Sequence, residues 1–172
     1  MLIPVFNPET TDLEKSYLAD NYSASTTTIS VKNTNRFAAN DRVMIGEMGQ
    51  EKTEVVTVQS VGSNGTDIVL TGTGTVFPHS AEDPIYKLRF DQIKFYRSTT
   101  GISGTYTVVS TQDIDVDNAD LQTKYDDTTG LSTYYYYFTF YHSISTVESE
   151  DSDTIGGTGW RREQVGRIID EI

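Results

Sequence analysis

The chain has 172 residues, 13 basic and 25 acidic, giving a formal charge of -12. So acidic a protein lacks the Lys and Arg surplus that grips nucleic-acid phosphates or an anionic membrane, although it suits a channel past which DNA slides. With no cysteine there is neither a disulfide frame nor thiol chemistry, and a composition rich in Thr, Ser, Val, Tyr and Gly favours strands and tight turns over helices.

Met1 to Phe6 is apolar, short, free of basic residues and interrupted by Pro4. It reads as an extended arm and not as a signal peptide. No apolar run approaches the roughly 20 residues of a membrane span. Asn7-Pro8 marks a turn, and Thr11 to Leu18, with Leu13 and Tyr17 four apart, predicts two helical turns. Residues 1–21 are therefore expected as an N-terminal arm. Its Val5 and Phe6 are candidate contacts, either to the chain's own domain or to a neighbouring subunit.

From Thr26 the period changes to two. Thr28 to Val31, Val43 to Ile45, Thr53 to Val61, Ile68 to Leu70 and Pro84 to Phe90 predict five short strands. Asn33-Thr34-Asn35, Gly46, Gly62-Ser63-Asn64-Gly65 and Gly72-Thr73-Gly74 punctuate them. This spacing predicts a small β-barrel or sandwich over residues 22–89. Over 90–155 a second β module follows. Gln92 to Arg97 and Thr105 to Ser110 are strands, Asp113 to Asp120 is an acidic stretch, Thr133 to Ser143 is a long strand, and Thr146 to Ser149 is a last one. Residues 156–172 open on Gly156-Gly157-Thr158-Gly159. Beyond Trp160, the residues Val165, Ile168, Ile169 and Ile172 fall on one stripe of a short amphipathic helix. A helix this short needs a surface to fold against, its own barrel or another subunit. The fold class expected is thus all-β, with an extended N-terminal arm and a short C-terminal helix.

Alternation in the long strand puts Tyr134, Tyr136, Phe138 and Phe140 on one face, and Tyr135, Tyr137, Thr139 and Tyr141 on the other. The first set is expected in a core. The second, with Tyr135, Tyr137 and Tyr141, is expected outward, where large aromatics suit an interface. The partner is either another molecule or the chain's own barrel or C-terminal helix. Trp160 and the stripe Val165, Ile168, Ile169 and Ile172 complete the candidate interface residues.

Asp113, Asp115 and Asp117 stand at the 1, 3 and 5 positions of a calcium loop. The loop lacks the rest of the pattern, since Asn118 replaces the usual glycine and Lys124 stands where a bidentate glutamate is needed. A solvated acidic loop is the simpler reading. His79 and His142 are the only imidazoles, and no nucleophile, metal or phosphate-loop motif accompanies them. Asp126-Asp127 reads as part of a turn, because adjacent side chains point apart. No catalytic residue and no cofactor are expected.

Residues 93–152 resemble part of a fibronectin type III domain. The resemblance rests on Ile93 to Thr99, Gly104 to Val109, Tyr125 to Thr129, Thr133 to Phe140 and Glu148-Ser149. It implies a central hairpin and a penultimate tyrosine strand, with the family's two earlier strands replaced by the barrel. The sheet is then either incomplete or completed by neighbouring strands. Residues 26–88 resemble a small β-module of tailed-phage virion proteins, through Phe37, Asp41 to Gly46, Glu54 to Val56, Ile68 to Leu70, His79 and Pro84 to Tyr86. The order of barrel, Tyr96-Arg97-Ser98-Thr99-Thr100-Gly101, tyrosine strand and helical tail is similar to phage neck proteins that dock on the portal. The resemblance implies a non-enzymatic virion protein made in the host cytoplasm, forming a homo-oligomeric ring that contacts portal, tail or capsid proteins. It implies no specific nucleic-acid binding and no membrane. A decoration or tail-surface subunit, or a bacterial adhesion or carbohydrate-binding module, are the alternatives.

Overall fold

The computed structural model describes residues 1–9 and 14–156. The fold is all-β, with twelve strands among these residues. β1 is Leu2–Phe6, β2 Lys15–Tyr17, β3 Thr28–Ser30, β4 Arg42–Ile45, β5 Glu54–Val61 and β6 Asp67–Leu70. β7 is Pro84–Lys87, β8 Gln92–Ser98, β9 Thr107–Asp113, β10 Gln122–Asp126, β11 Tyr135–Tyr141 and β12 Ile155–Gly156. They divide between two compact units. Unit 1 takes Met1–Pro8, Phe90–Asp115 and, of the described residues, 122–156; unit 2 takes Glu9–Arg89 and Val116–Leu121.

Unit 2 is a six-stranded antiparallel sheet in the order β2-β7-β4-β5-β6-β3. Its two ends meet: Leu18 bridges Val31, Ala19 N–H donates to Ser30 O at 2.8 Å, and Lys32 N–H to Tyr17 O at 2.9 Å. These contacts bring one end of the two edge strands together and curl the sheet into a half-barrel. Alternate residues turn inward to make the core, which comprises Leu18, Ile29, Val31, Phe37, Val43, Ile45, Val56, Val58, Ile68, Leu70 and Ile85. Gly46 ends β4 at φ +101, where Thr53 crosses so closely that no Cβ fits.

Strand Lys15–Tyr17 corrects the described part of the helix expected over Thr11–Leu18, of which Thr11–Leu13 lie outside the described residues. The spacing of Leu13 and Tyr17 suggested a helix face, but the burial that decides is period two. Ser16 and Leu18 turn into the barrel while Tyr17 faces out, and β7 supplies the pairing. Lys15 lies over the rings of Tyr17 and Tyr86, at 5.0 and 4.8 Å from their centroids.

Unit 1 holds a four-stranded sheet, β12-β11-β8-β9, and a two-stranded sheet, β1-β10. The strand completing β10 is the chain's own N-terminus, with Val5 opposite Thr123 and Ile3 opposite Tyr125. Of the described part of residues 1–21, Leu2–Phe6 belongs to one unit and Lys15–Tyr17 to the other, so these segments dock on the chain's own units, one of the two expected alternatives. The sequence of the barrel lies between β1 and the rest of unit 1. Pro4, which suggested a free extended segment, is compatible with β1 because the strand pairs on one side only. The two sheets of unit 1 touch through Phe95 and Tyr125, whose ring centroids are 5.1 Å apart. Ile3, Val5, Ile93, Phe95, Tyr136 and Phe138 are all buried.

The last expected strand also moves. Of Thr146 to Ser149, only Glu148 makes a bridge, to Tyr141, and the paired strand is Ile155–Gly156. Thr146 sits at φ 58, its N–H donating to His142 O at 2.9 Å, so a tight turn occupies the expected strand start. The helix expected in 156–172, with Trp160, Val165, Ile168, Ile169 and Ile172, lies outside the described residues apart from Gly156.

Candidate interaction face

β11 is held from its inner side by a polar cluster built on Asp127. This carboxylate is 2% exposed. It accepts hydrogen bonds from Arg97 Nη1 at 2.8 Å, Tyr136 Oη at 2.9 Å, and the Thr129 N–H and hydroxyl at 3.0 and 2.9 Å. Burial alone would raise its pKa, but the bonds from Tyr136, Arg97 and Thr129 prevail and hold it below the usual carboxylate range. Burial and the same carboxylate push the Tyr136 phenol well above its ordinary value. Gly130 lies so close that a Cβ there would meet Tyr136 Oη at 2.3 Å. Asp127 thus anchors a turn to a strand.

The outer side of β11 is the candidate face. Register pairs Tyr137 with Tyr96 and Thr139 with Lys94, so these side chains stand together on one face of the sheet. The rings of Tyr96 and Tyr137 stack at 4.5 Å, and Tyr106 leans on Tyr137 at 4.8 Å. Lys94 Nζ lies 3.6 Å from the Tyr141 ring centroid. Tyr135 packs over Gly101, where a Cβ would meet the ring at 2.9 Å. Glu148 reaches across to accept hydrogen bonds from Thr139, Tyr96 and Lys94, the last at 2.9 Å. Burial would raise the Glu148 pKa, and those three donors reverse the effect and lower it. Burial and Glu148 together raise the Tyr96 phenol.

Tyr135, Tyr137 and Tyr141 are half-buried, while Tyr136 and Phe138 are 1% and 6% exposed. Of the set expected in the core, Tyr136 and Phe138 are buried whereas Tyr134 and Phe140 are half-buried, and Thr139 of the outward set is buried as well. The outer face differs from the expectation in what covers it. Its tyrosines lean on Tyr96, Tyr106, Lys94 and Glu148 of the same unit. All four lie in segments that carry the fibronectin type III resemblance, but none was named as an interface candidate. Lys94 and Tyr96 were findable, since alternation along Gln92–Ser98 puts them on one side of β8; Glu148 and Tyr106 reach the face only through turns.

The other candidates sit elsewhere. Val5 is wholly buried in its own unit and Phe6 is half-buried, so neither forms an exposed arm. Asp113, Asp115 and Asp117 all face solvent, since Ile114 and Val116 between them turn inward. Among the described residues no group of three His, Asp or Glu is placed to hold a metal ion. His79 is buried and bonded through Nε2 to Glu54 at 2.9 Å. Glu54 also accepts the N–H groups of Val76 and Phe77 at 2.7 and 2.9 Å. Burial would raise the Glu54 pKa, but His79 and these amides lower it. The pair clamps a loop to β5. A cavity of about 380 Å³ in unit 2, lined by Glu14, Asn33, Asn35, Arg36 and Lys87, contains no nucleophile–base pair.

No helix among the described residues is long and apolar enough to cross a membrane. No protein-family model, curated protein or solved structure matches this chain.

Proposed function

We propose that the chain is a non-enzymatic structural subunit of a tailed-phage virion, serving in the neck as one member of a ring between portal and tail. The observation that carries this reading is the order of its parts: barrel, Tyr96-Arg97-Ser98-Thr99-Thr100-Gly101, tyrosine strand, then a tail with an apolar stripe. The internal chemistry accords with a mechanical role. Asp127, Glu54 and Glu148 are each engaged in hydrogen bonds that fasten one segment to another. A net charge of -12 suits a ring whose lumen lets DNA pass without adhering. Electron microscopy of the purified full chain, alone and with portal and tail components, tests the reading. Rings or a portal-bound collar are expected, and a chain that stays monomeric and binds neither component would overturn it.

The tyrosine face favours a second reading, a carbohydrate-binding or adhesion module, because tyrosine rings stack on sugars. Its weakness is that Tyr96, Tyr106 and Tyr137 already stack on one another. Binding on a glycan array that is lost in Tyr137→Ala would favour it, and a blank array would remove it.

A further inference from the structure

The loop between β11 and β12 is built around one side chain. His142 closes residues 142–147 with its backbone, its N–H donating to Val147 O and its carbonyl accepting from the Thr146 N–H, both at 2.9 Å. Its ring adds two more bonds. Nδ1 accepts the N–H of Ile144 at 3.3 Å and that of Ser145 at 3.1 Å. A ring nitrogen that accepts carries no proton, so the closed loop requires the neutral imidazole with its proton on Nε2. The same loop holds Thr146 at φ 58, a conformation that is costly for a β-branched residue and persists only under constraint. Ile144 and Val147 belong to it as well, 42% and 54% exposed.

We propose that His142 is a proton-operated latch: the neutral ring holds loop 142–147 closed, and protonation at Nδ1 releases it. Histidine is the side chain that ordinarily charges in the mildly acidic to neutral range. A proton on Nδ1 turns an acceptor into a donor facing two other donors, so both ring bonds are lost at once. The open loop takes the proton and the closed one refuses it, and this difference is what lets pH shift the balance. The sign follows. Closure is complete at high pH and is lost as pH falls through the imidazole titration. The charged groups on the elements beside the loop are Asp91 before β8, Lys94 on β8, Asp113 at the end of β9, and Glu148 just after the loop. Three carboxylates against one ammonium give the freed imidazolium attractive surroundings. Asp91 also accepts the N–H and hydroxyl of Ser143 at 2.8 and 2.6 Å, which tethers the start of the loop in both states. The latch therefore governs the arrangement of residues 144–147, Ile144 and Val147 among them. It lies beyond the neck assignment and does not depend on it.

NMR of the full chain from about pH 8 to about pH 5 is the test. It follows the His142 ring, the amides of Ile144 and Ser145, and the heteronuclear NOE across residues 143–147. Two variants separate the roles. His142→Asn puts Oδ1 where Nδ1 stands, an acceptor that does not titrate, and His142→Ala removes the acceptor. The other imidazole, His79, is bonded to Glu54 in unit 2 and is unchanged in both. In the wild type the two amides are expected to shift with the midpoint of the His142 ring, and the NOE to fall on the acid side. In His142→Asn the amides stay in place and the NOE stays high throughout, while in His142→Ala the NOE is low at every pH. Amides that stay in place while the ring titrates would overturn the proposal, as would a His142→Asn loop that opens as the wild type does. A midpoint near about 4, in the carboxylate range, would assign the release to Asp91 and overturn it as well. Should His142→Ala fail to fold, the wild type against His142→Asn decides.

Discussion

Asp127 shows how a single buried carboxylate can fix a local fold. It takes four hydrogen bonds from three residues on β8, β11 and its own turn, so losing one donor leaves the charge only partly compensated. Tyr136→Phe is expected to destabilise the chain by about 1–3 kcal/mol in urea denaturation. Gly130→Ala should cost a comparable amount, because its new methyl meets Tyr136 Oη and displaces it. The opposite sign is expected at Thr146, a β-branched residue held at φ 58. Thr146→Asn relieves left-handed strain and should stabilise by up to about 1 kcal/mol. The pH response belongs to this scale too. Asp127 and Glu54 have folded pKa values below the unfolded carboxylate range, near about 4. Their contribution is complete above that range and is lost as pH falls through the folded values. Tyr136 and Tyr96 are shifted upward from about 10, so their contribution is complete below that pH and is lost as pH rises beyond it. Denaturation midpoints across pH should therefore fall at both ends, and Asp127→Asn should flatten the acid arm.

Strands with strong alternation and clear turn residues were legible in the sequence, and strands defined only by their partners were not. Val43 to Ile45, Ile68 to Leu70 and Gln92 to Arg97 lie where β-branched and aromatic residues alternate between glycine-marked turns. β1 and β2 escaped because each is short and takes its strand character from a distant segment, Gln122–Asp126 and Pro84–Lys87 respectively. β10 itself reads as polar, Gln122-Thr123-Lys124-Tyr125-Asp126, and only Thr123 is buried. The candidate face was half legible for the same reason. The alternation of β11 named its tyrosines, but no local pattern announces that Glu148 will reach Tyr96 and Lys94 over fifty residues away. The importance of β1 can be measured. Val5→Asp places a charge at a wholly buried position without a partner and should unfold unit 1, seen as loss of Phe95 and Tyr136 ring dispersion in NMR spectra. Leu18→Ala, at the bridge that closes the barrel, should cost about 2–5 kcal/mol.

At the scale of the whole molecule, β1 and the remainder of unit 1 flank the barrel sequence, so the N-terminal strand meets its partner only after the barrel has been made. The N-terminal segment that suggested an arm is consumed in the fold, which leaves the tyrosine face as a described surface on which assembly can act. The central proposal is that this chain is a structural subunit of a ring between portal and tail. Cryo-electron microscopy of the full chain mixed with portal and tail components tests it most directly. The account predicts a closed ring seated between the two, with the described β units forming its wall. A monodisperse monomer that leaves portal and tail unoccupied would contradict it.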